Sequence, residues 1–242
     1  MNYIVYDLEF NQKNPNDTNP TKLTFEIVQI GAVKLNNDLE ITAVFNKIIR
    51  PSVHFEIHPY IENLTRITTE MVATENYFPE VYNDFLNFIG KEDFTTCTWG
   101  TADIKELIKN IRFHNLDPLN NLTKYIDIQK IVSKQLHRPK GEKIGLKRAI
   151  EFFNLPIERE FHDALNDAYY TAEIFKKIYT PEVKPEVYHS TQNKRQLKPK
   201  QKIYTEQLFA QFEKMYNRKL SSQEKDMIKL AYIMGKTNQF SK

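Results

Sequence analysis

The chain holds a single cysteine, Cys97, in 242 residues. One thiol excludes an intrachain disulfide and any zinc centre built on several cysteines, and it suits a reducing compartment. Glycine is also scarce, at 6 residues. No glycine-rich loop precedes a helix, which argues against a nucleotide cofactor cradled by backbone amides. No apolar run approaches the roughly 18 residues that a membrane helix needs. The first residues, Met1-Asn2-Tyr3-Ile4-Val5, lead straight into an apolar strand. They show neither a basic segment nor a signal-like apolar core, so no export signal and a cytoplasmic location are expected.

What the chain does carry is unevenly placed charge. Residues 1–180 hold 21 Lys and Arg against 25 Asp and Glu, a balance of −4. Residues 181–242 hold 13 against 6, a balance of +7. An acidic body with a basic tail fits a carboxylate-rich site plus an arm that meets a polyanion, and a merely soluble lysine-rich tail fits equally well.

The length suits one sizeable domain with an appendage. Strands are expected at about 2–9, 26–35 and 41–49, the last two joined by the turn Asn36-Asn37-Asp38. Residues 11–24 are polar and read as a long loop. A helix begins near Pro79, a fourth strand covers Phe94 to Trp99, and a helix follows from about Ala102 to Phe113. A short strand near Tyr125-Ile126-Asp127 and helices over 146–153 and 164–178 complete the body. Hairpin strands followed by alternating strand and helix predict an α/β fold, a mixed five-stranded sheet flanked by helices. Residues 1–180 therefore read as one domain. Residues 181–202, with Pro181, Pro185 and Pro199 among Lys, Gln and Asn, read as a basic linker. Residues 203–242 read as an αα-hairpin, opened in its second helix by a capping box of Ser221 and Glu224. The hairpin is small for independent folding, so docking on the body, on a protein partner or on a second copy is expected.

The chemistry starts in the first strand. Asp7 and Glu9 fall where core residues are expected, on one face of Ile4-Val5-Tyr6-Asp7-Leu8-Glu9-Phe10 and roughly 7 Å apart. Like charges held in a partly dry place are costly unless a cation joins them or a proton is shared. The alternative is an edge strand with a solvated acidic face. Asp103 falls in the first turn of a helix after Thr98-Trp99-Gly100, a position the helix dipole favours anyway. In His162-Asp163-Ala164-Leu165-Asn166-Asp167-Ala168, Asp163 is expected to cap a helix that carries Asp167, with His162 on the loop before it. Together, four carboxylates offer oxygen ligands to Mg²⁺ or Mn²⁺, and histidine is the side chain suited to a base near neutral pH. Two metals and an activated water are what phosphoryl chemistry on nucleic acid requires. His54 and His58 have i, i+4 spacing, but Glu56 is misplaced for a zinc protease motif and Pro59 follows at once, so zinc is not expected.

The order Asp-x-Glu, Trp-Gly-x-x-Asp, His-x-x-x-x-Asp resembles the DEDDh 3′-to-5′ exonucleases of the DnaQ-like superfamily over residues 1–180. Supporting segments are Glu26 to Val33, Leu64-Thr65-Arg66-Ile67-Thr68 and Gly145-Leu146. The resemblance implies a ribonuclease-H-like three-layer fold and two metal ions held by Asp7, Glu9, Asp103 and Asp167. It makes His162 the general base and a nucleoside 5′-monophosphate the product. Within the superfamily the chain is most similar to Eri-type RNA-trimming enzymes and KapD-type relatives. Proofreading members usually place Thr-Thr-Gly after the Glu, where this chain has Phe10-Asn11-Gln12. The expected partner is the 3′ end of single-stranded nucleic acid, RNA favoured over DNA. A DNA proofreading or repair enzyme, or a binding module that keeps only the fold, are the alternatives. By the same resemblance Phe10, Thr65 and Ile67 are expected to touch the terminal bases. The basic run that includes Lys143 and Lys147, and the tail lysines with Arg195, are expected to meet phosphates.

Overall fold

The computed structural model describes residues 2–13, 23–118, 120–139, 141–189 and 205–236, and it divides into two compact units, residues 1–190 and 191–242. In the first unit the period-2 alternation of β1 (Asn2–Gln12) sends side chains into two separate cores. Ile4, Tyr6 and Leu8 enter one cluster, and Tyr3 and Val5 enter another. A strand buried on both faces has to sit inside a sheet with helices on either side. β1 does so, between β2 (Phe25–Leu35) and β4 (Phe94–Thr98). β2 reads as a nearly continuous apolar run for the same reason.

The sheet order is β3-β2-β1-β4-β5-β6, where β3 is Ile41–Ile48, β5 is Lys124–Asp127 and β6 is Glu186–Val187. β1, β2 and β3 are antiparallel, β4 and β5 run parallel to β1, and β6 returns antiparallel to β5. The sheet is thus mixed as expected, but it has six strands rather than five. The sixth lies inside the span read as a linker. Two residues carry no periodic signal. What holds them is tertiary: Tyr188 N–H donates to Thr123 O at 2.7 Å, and Lys130 pairs with Glu186.

The first core is covered by α3 (Phe78–Ile89) and α4 (Ala102–Phe113). The second is covered by α5 (Ile128–Gln135), α6 (Leu146–Phe152) and α7 (Ala164–Ile178). Three short helices escaped the sequence reading: α1 (Pro59–Thr65), α2 (Thr69–Ala73) and α5. None exceeds 8 residues, too few for a clear 3.6-residue period. α1 and α2 rest on a small third core of Val28, Ile57, Ile67 and Val72. Val28 is the extra residue of a bulge in β2, since Glu9 faces Gln29 whereas Phe10 faces Ile27.

The second unit holds α8 (Thr205–Tyr216) and α9 (Ser222–Lys236). The expected capping box is present. Ser221 N–H donates to Glu224 Oε2 at 2.8 Å, and Glu224 N–H donates to Ser221 Oγ at 3.3 Å. Residues 14–22 of the expected long loop, Lys140, and residues 190–204, which include Arg195 and Pro199, lie outside the described residues. Among the described residues no helix is long and apolar enough to cross a membrane.

Candidate active site

The acids of β1 depend on the strand's neighbours for their setting. β1 outruns β4, whose pairing with it ends at Val5 opposite Cys97. Past that point the carboxylate of Asp103, in the first turn of α4, lies near the backbone N–H groups of Leu8 and of Asp103 itself, which favour its charged form. On the other side, Asp7 faces Gly31 and Glu9 faces Gln29 across the β1–β2 ladder. α7 starts directly on Gly31. A Cβ there would lie 2.1 Å from the carbonyl carbon of Ala164 and from the nitrogen of Leu165. Gln29, buried, clamps the same helix end: its Nε2 donates to Asp163 Oδ2 at 2.9 Å and its Oε1 accepts Ala164 N–H at 3.1 Å. Asp163 is the N-cap of α7, accepting from Asn166 N–H.

This seating carries Asp167 and His162 to the β1 acids. Oxygens of Glu9 and Asp167 and a ring nitrogen of His162 all lie within 4.8 Å of one another. His162 is exposed and holds a left-handed backbone, φ 65°, with its N–H donating to Asp167 Oδ2 at 3.2 Å. Glu9, Asp103 and Asp167 are buried, and Asp7 is half-buried beside them.

The electrostatics is strained. Burial, followed by the charges of Asp103, Asp167 and Glu9, pushes Asp7 far above the usual carboxylate range. Burial and then Asp167 and Asp103 lift Glu9 to about 8. Burial lifts Asp103 to about 7 against the opposing pull of the backbone N–H groups of Asp103 and Leu8, and lifts Asp167 to about 6 against the His162 N–H. Among the described residues no lysine or arginine pairs with any of the four. Asp167 Oδ1 is buried with no hydrogen-bond partner. An oxygen left bare among like charges, in a set of hard donors, fits a divalent cation.

The remaining predicted residues spread out. Thr65 and Ile67 line a groove of about 570 Å³ with Leu64, Met71, His162 and Asn166. The Thr65 hydroxyl is already engaged, donating to Ile61 O at 2.9 Å and accepting Ile67 N–H at 3.2 Å, and Ile67 is a core residue. Phe10 packs on the core that holds Tyr6 and Leu8, 6.3 Å from the ring of Phe25. Lys143 is exposed, its Nζ about 4.0 Å from where a Cβ on Gly100 would stand, at the strand end that leads to Asp103. Lys147 is exposed on α6. His54 and His58 are not a metal pair: His54 Nε2 meets Leu23 O at 3.1 Å, and His58 Nδ1 caps α1 by accepting Tyr60 N–H at 3.1 Å. Gln29 and Gly31 are the positioning residues that sequence reasoning missed, while Asp163 caps α7 as expected. The available signal was a glycine in the middle of an apolar strand, which marks a close backbone approach.

A family model described as an exonuclease of the RNase T type matches residues 4–175. The chain is 24% identical over 164 residues to mouse "3′-5′ exoribonuclease 1", covering 64% of this chain and 47% of that protein. It is 29% identical over 153 residues to "DNA polymerase III subunit epsilon" of Aquifex aeolicus (strain VF5), covering 63% and 71%. It is 24% identical over 177 residues to "Probable 3′-5′ exonuclease KapD" of Bacillus subtilis (strain 168), covering 72% and 83%. The chain thus spans about half the length of the mammalian relatives it matches. Its fold is that of the nuclease domain of 3′hExo, a DEDDh family member, with a TM-score of 0.66 at 21% identity over 78% of this chain and 96% of that one.

Proposed function

The chain belongs to the RNase T/DEDDh family of 3′-to-5′ exonucleases, and from that membership we propose that it trims single-stranded RNA from the 3′ end, releasing nucleoside 5′-monophosphates. The observation that carries this reading is the cluster of Glu9, His162 and Asp167 within 4.8 Å, beside an Asp7 and an Asp103 that no lysine or arginine among the described residues neutralises. A protein that merely bound nucleic acid would have no use for that repulsion.

Asp7, Glu9, Asp103 and Asp167 would hold magnesium or manganese ions. Such ions supply positive charge against the developing charge on phosphorus and acidify water. The chain's own residues do the rest. His162, held at the mouth of the site by its tie to Asp167, takes the proton of the attacking water. The water oxygen forms the new bond to phosphorus, and the bond from phosphorus to O3′ of the preceding nucleotide breaks. O3′ takes a proton from solvent and becomes the new terminal hydroxyl. No covalent enzyme intermediate arises.

Sequence supports RNA over DNA through Thr98-Trp99-Gly100-x-x-Asp103 and through the residues after Glu9. Asn11, at a position where proofreaders differ, is built into the fold: its Nδ2 donates to His54 O and Glu56 O, each at 2.9 Å, and its Oδ1 accepts His58 N–H. DNA is the second reading, favoured by the similarity to polymerase III subunit epsilon. The test is a 5′-labelled RNA and DNA of one sequence, incubated with and without Mg²⁺ or Mn²⁺, beside Asp7→Asn. A metal-dependent ladder from the 3′ end, faster on RNA and lost in the variant, is expected. Internal cutting, or none with either metal, would overturn the enzyme reading; faster cutting of DNA would select the second one.

A further inference from the structure

Arg66 stands out as a residue kept in an unfavourable backbone state. It ends α1 at φ 64°, ψ 5°, the left-handed region, where its N–H donates to Glu62 O at 2.9 Å. Glycine is the usual residue at this helix-end position, and a side chain there costs about 1 kcal/mol or more. The local structure gains nothing visible in return. Arg66 is exposed, and among the described residues its guanidinium makes no hydrogen bond or ion pair.

Its place suggests what the side chain is for. Arg66 lines the groove of about 570 Å³ that contains His162, and it also lines a second groove of about 330 Å³ with Pro59, Glu62, Asn63 and Thr68. Among the described residues it is the sole lysine or arginine in either lining. The first groove offers Leu64, Met71 and Phe161 as apolar faces for a base, and reaches the acids through His162, whose ring nitrogen lies within 4.8 Å of oxygens of Glu9 and Asp167. A strand whose 3′ end stops at the acids can leave that groove only in the 5′ direction. On the Arg66 side it then crosses a fixed positive charge before entering the second groove. Glu62 in that groove repels phosphate, which leaves Arg66 as the point of attraction.

We propose that Arg66 binds an internucleotide phosphate on the 5′ side of the scissile bond and gives the enzyme its preference for longer strands. This rests on the exonuclease reading above. Guanidinium is suited to the task because its planar fork meets two phosphate oxygens at once.

The decisive variant is Arg66→Gly, which removes the charge and relieves the left-handed backbone together. A purely structural arginine predicts a variant that is at least as stable, with substrate handling unaltered. The proposal predicts that the variant's melting temperature holds or rises while KM for a tetranucleotide climbs on the order of 10-fold. KM for a dinucleoside monophosphate, whose one phosphate is the scissile one, should move much less. The slope of log KM against log salt on the tetranucleotide should flatten by about 0.7, and Arg66→Lys should recover part of the affinity. Equal losses on both substrates, an unchanged tetranucleotide KM, or a wild-type enzyme indifferent to length would each overturn the assignment. A wild-type enzyme that cleaves neither substrate would overturn the exonuclease reading itself.

Discussion

Gly31→Ala is the sharpest perturbation of this site, because the added atom meets backbone and not a side chain that could rotate away. The new Cβ would lie 2.1 Å from Ala164 C, 2.1 Å from Leu165 N and 2.4 Å from Ala164 O. Packed carbons rest at about 3.5–4.0 Å, so the start of α7 must retreat by more than about 1 Å. That retreat carries Asp163, Asp167 and the His162 loop away from Asp7 and Glu9, and it stretches the Gln29 clamp at 2.9 and 3.1 Å. Overpacking of this kind costs about 1–3 kcal/mol, and a misplacement of about 1 Å in a catalytic constellation costs on the order of 100-fold in rate. For a unit of this size each kcal/mol lowers the melting temperature by about 2–4 °C. The assay is 3′-end trimming of labelled RNA alongside a thermal melt, with Gly145→Ala as control. Gly145 has φ −72°, and nothing lies within 4 Å of the place an added methyl would take, so its variant should stay near wild type in both. A Gly31→Ala enzyme with wild-type kcat and melting temperature would refute the idea that the seat of α7 on β2 sets the acid cluster.

Other expectations follow from particular contacts. Glu26 is buried and accepts Ser52 N–H, Ser52 Oγ, Val53 N–H and His54 N–H at 2.5–3.1 Å; Glu26→Ala strands those backbone donors and should cost about 3 kcal/mol or more in urea denaturation, whereas a loss under about 1 kcal/mol would show that the segment re-forms without it. Gln29→Ala should lower kcat about 10-fold, and Gln29→Glu should lower it further by setting a second carboxylate against Asp163; the reverse order of rates would refute the clamp. Without divalent metal, the raised carboxylates make the folded chain bind more protons than the unfolded one. Their uncharged form is favoured in the fold, so stability is greatest below about pH 4 for these groups and falls as pH rises through about 6, 7 and 8 for Asp167, Asp103 and Glu9. Added Mg²⁺ or Mn²⁺ should reverse that fall above about pH 8, seen as a rise in melting temperature, and should release protons measurable by calorimetry in buffers of different ionisation enthalpy. A melting temperature at high pH that metal leaves unmoved would count against a cation site.

The parts of this fold that were legible in sequence are those that repeat or punctuate. β1, β2 and β3 follow from alternation and from the Asn36-Asn37-Asp38 turn, and α7 follows from its Asp163 cap and apolar face. Asp7 and Glu9 were legible because they occupy a strand where burial should have excluded charge, and Asp103, His162 and Asp167 through the order Trp-Gly-x-x-Asp and His-x-x-x-x-Asp that follows them. β6 was not, because two residues gain their structure from Thr123 and Lys130 far away in sequence. Phe10, Thr65 and Ile67 show the opposite difficulty. A resemblance names them as base contacts, and only the packing reveals that Ile67 belongs to the third core and that the Thr65 hydroxyl is already shared between Ile61 and Ile67.

That packing also explains how a costly site survives on a marginal balance. Four carboxylates that raise one another's pKa push the elements bearing them apart. Groups that carry no net charge hold the elements of two of them: the backbone N–H of Leu8 favours the charged form of Asp103, His162 N–H donates to Asp167, and the Gln29 amide clamps the helix that bears Asp167. The bulge at Val28 adds the last constraint. It shifts β2 by one residue just past Glu9, which turns Val28 into the seat of α1 and α2 and so sets one wall of the groove beside His162. The repulsion is held in check by amide groups and close contacts, and among the described residues no lysine or arginine pairs with the charge. An arginine placed among the acids would relieve the strain and fill the place that a divalent cation would take. The nearest groove-lining arginine, Arg66, stands instead at the junction with the second groove, where positive charge can serve the strand without neutralising the site.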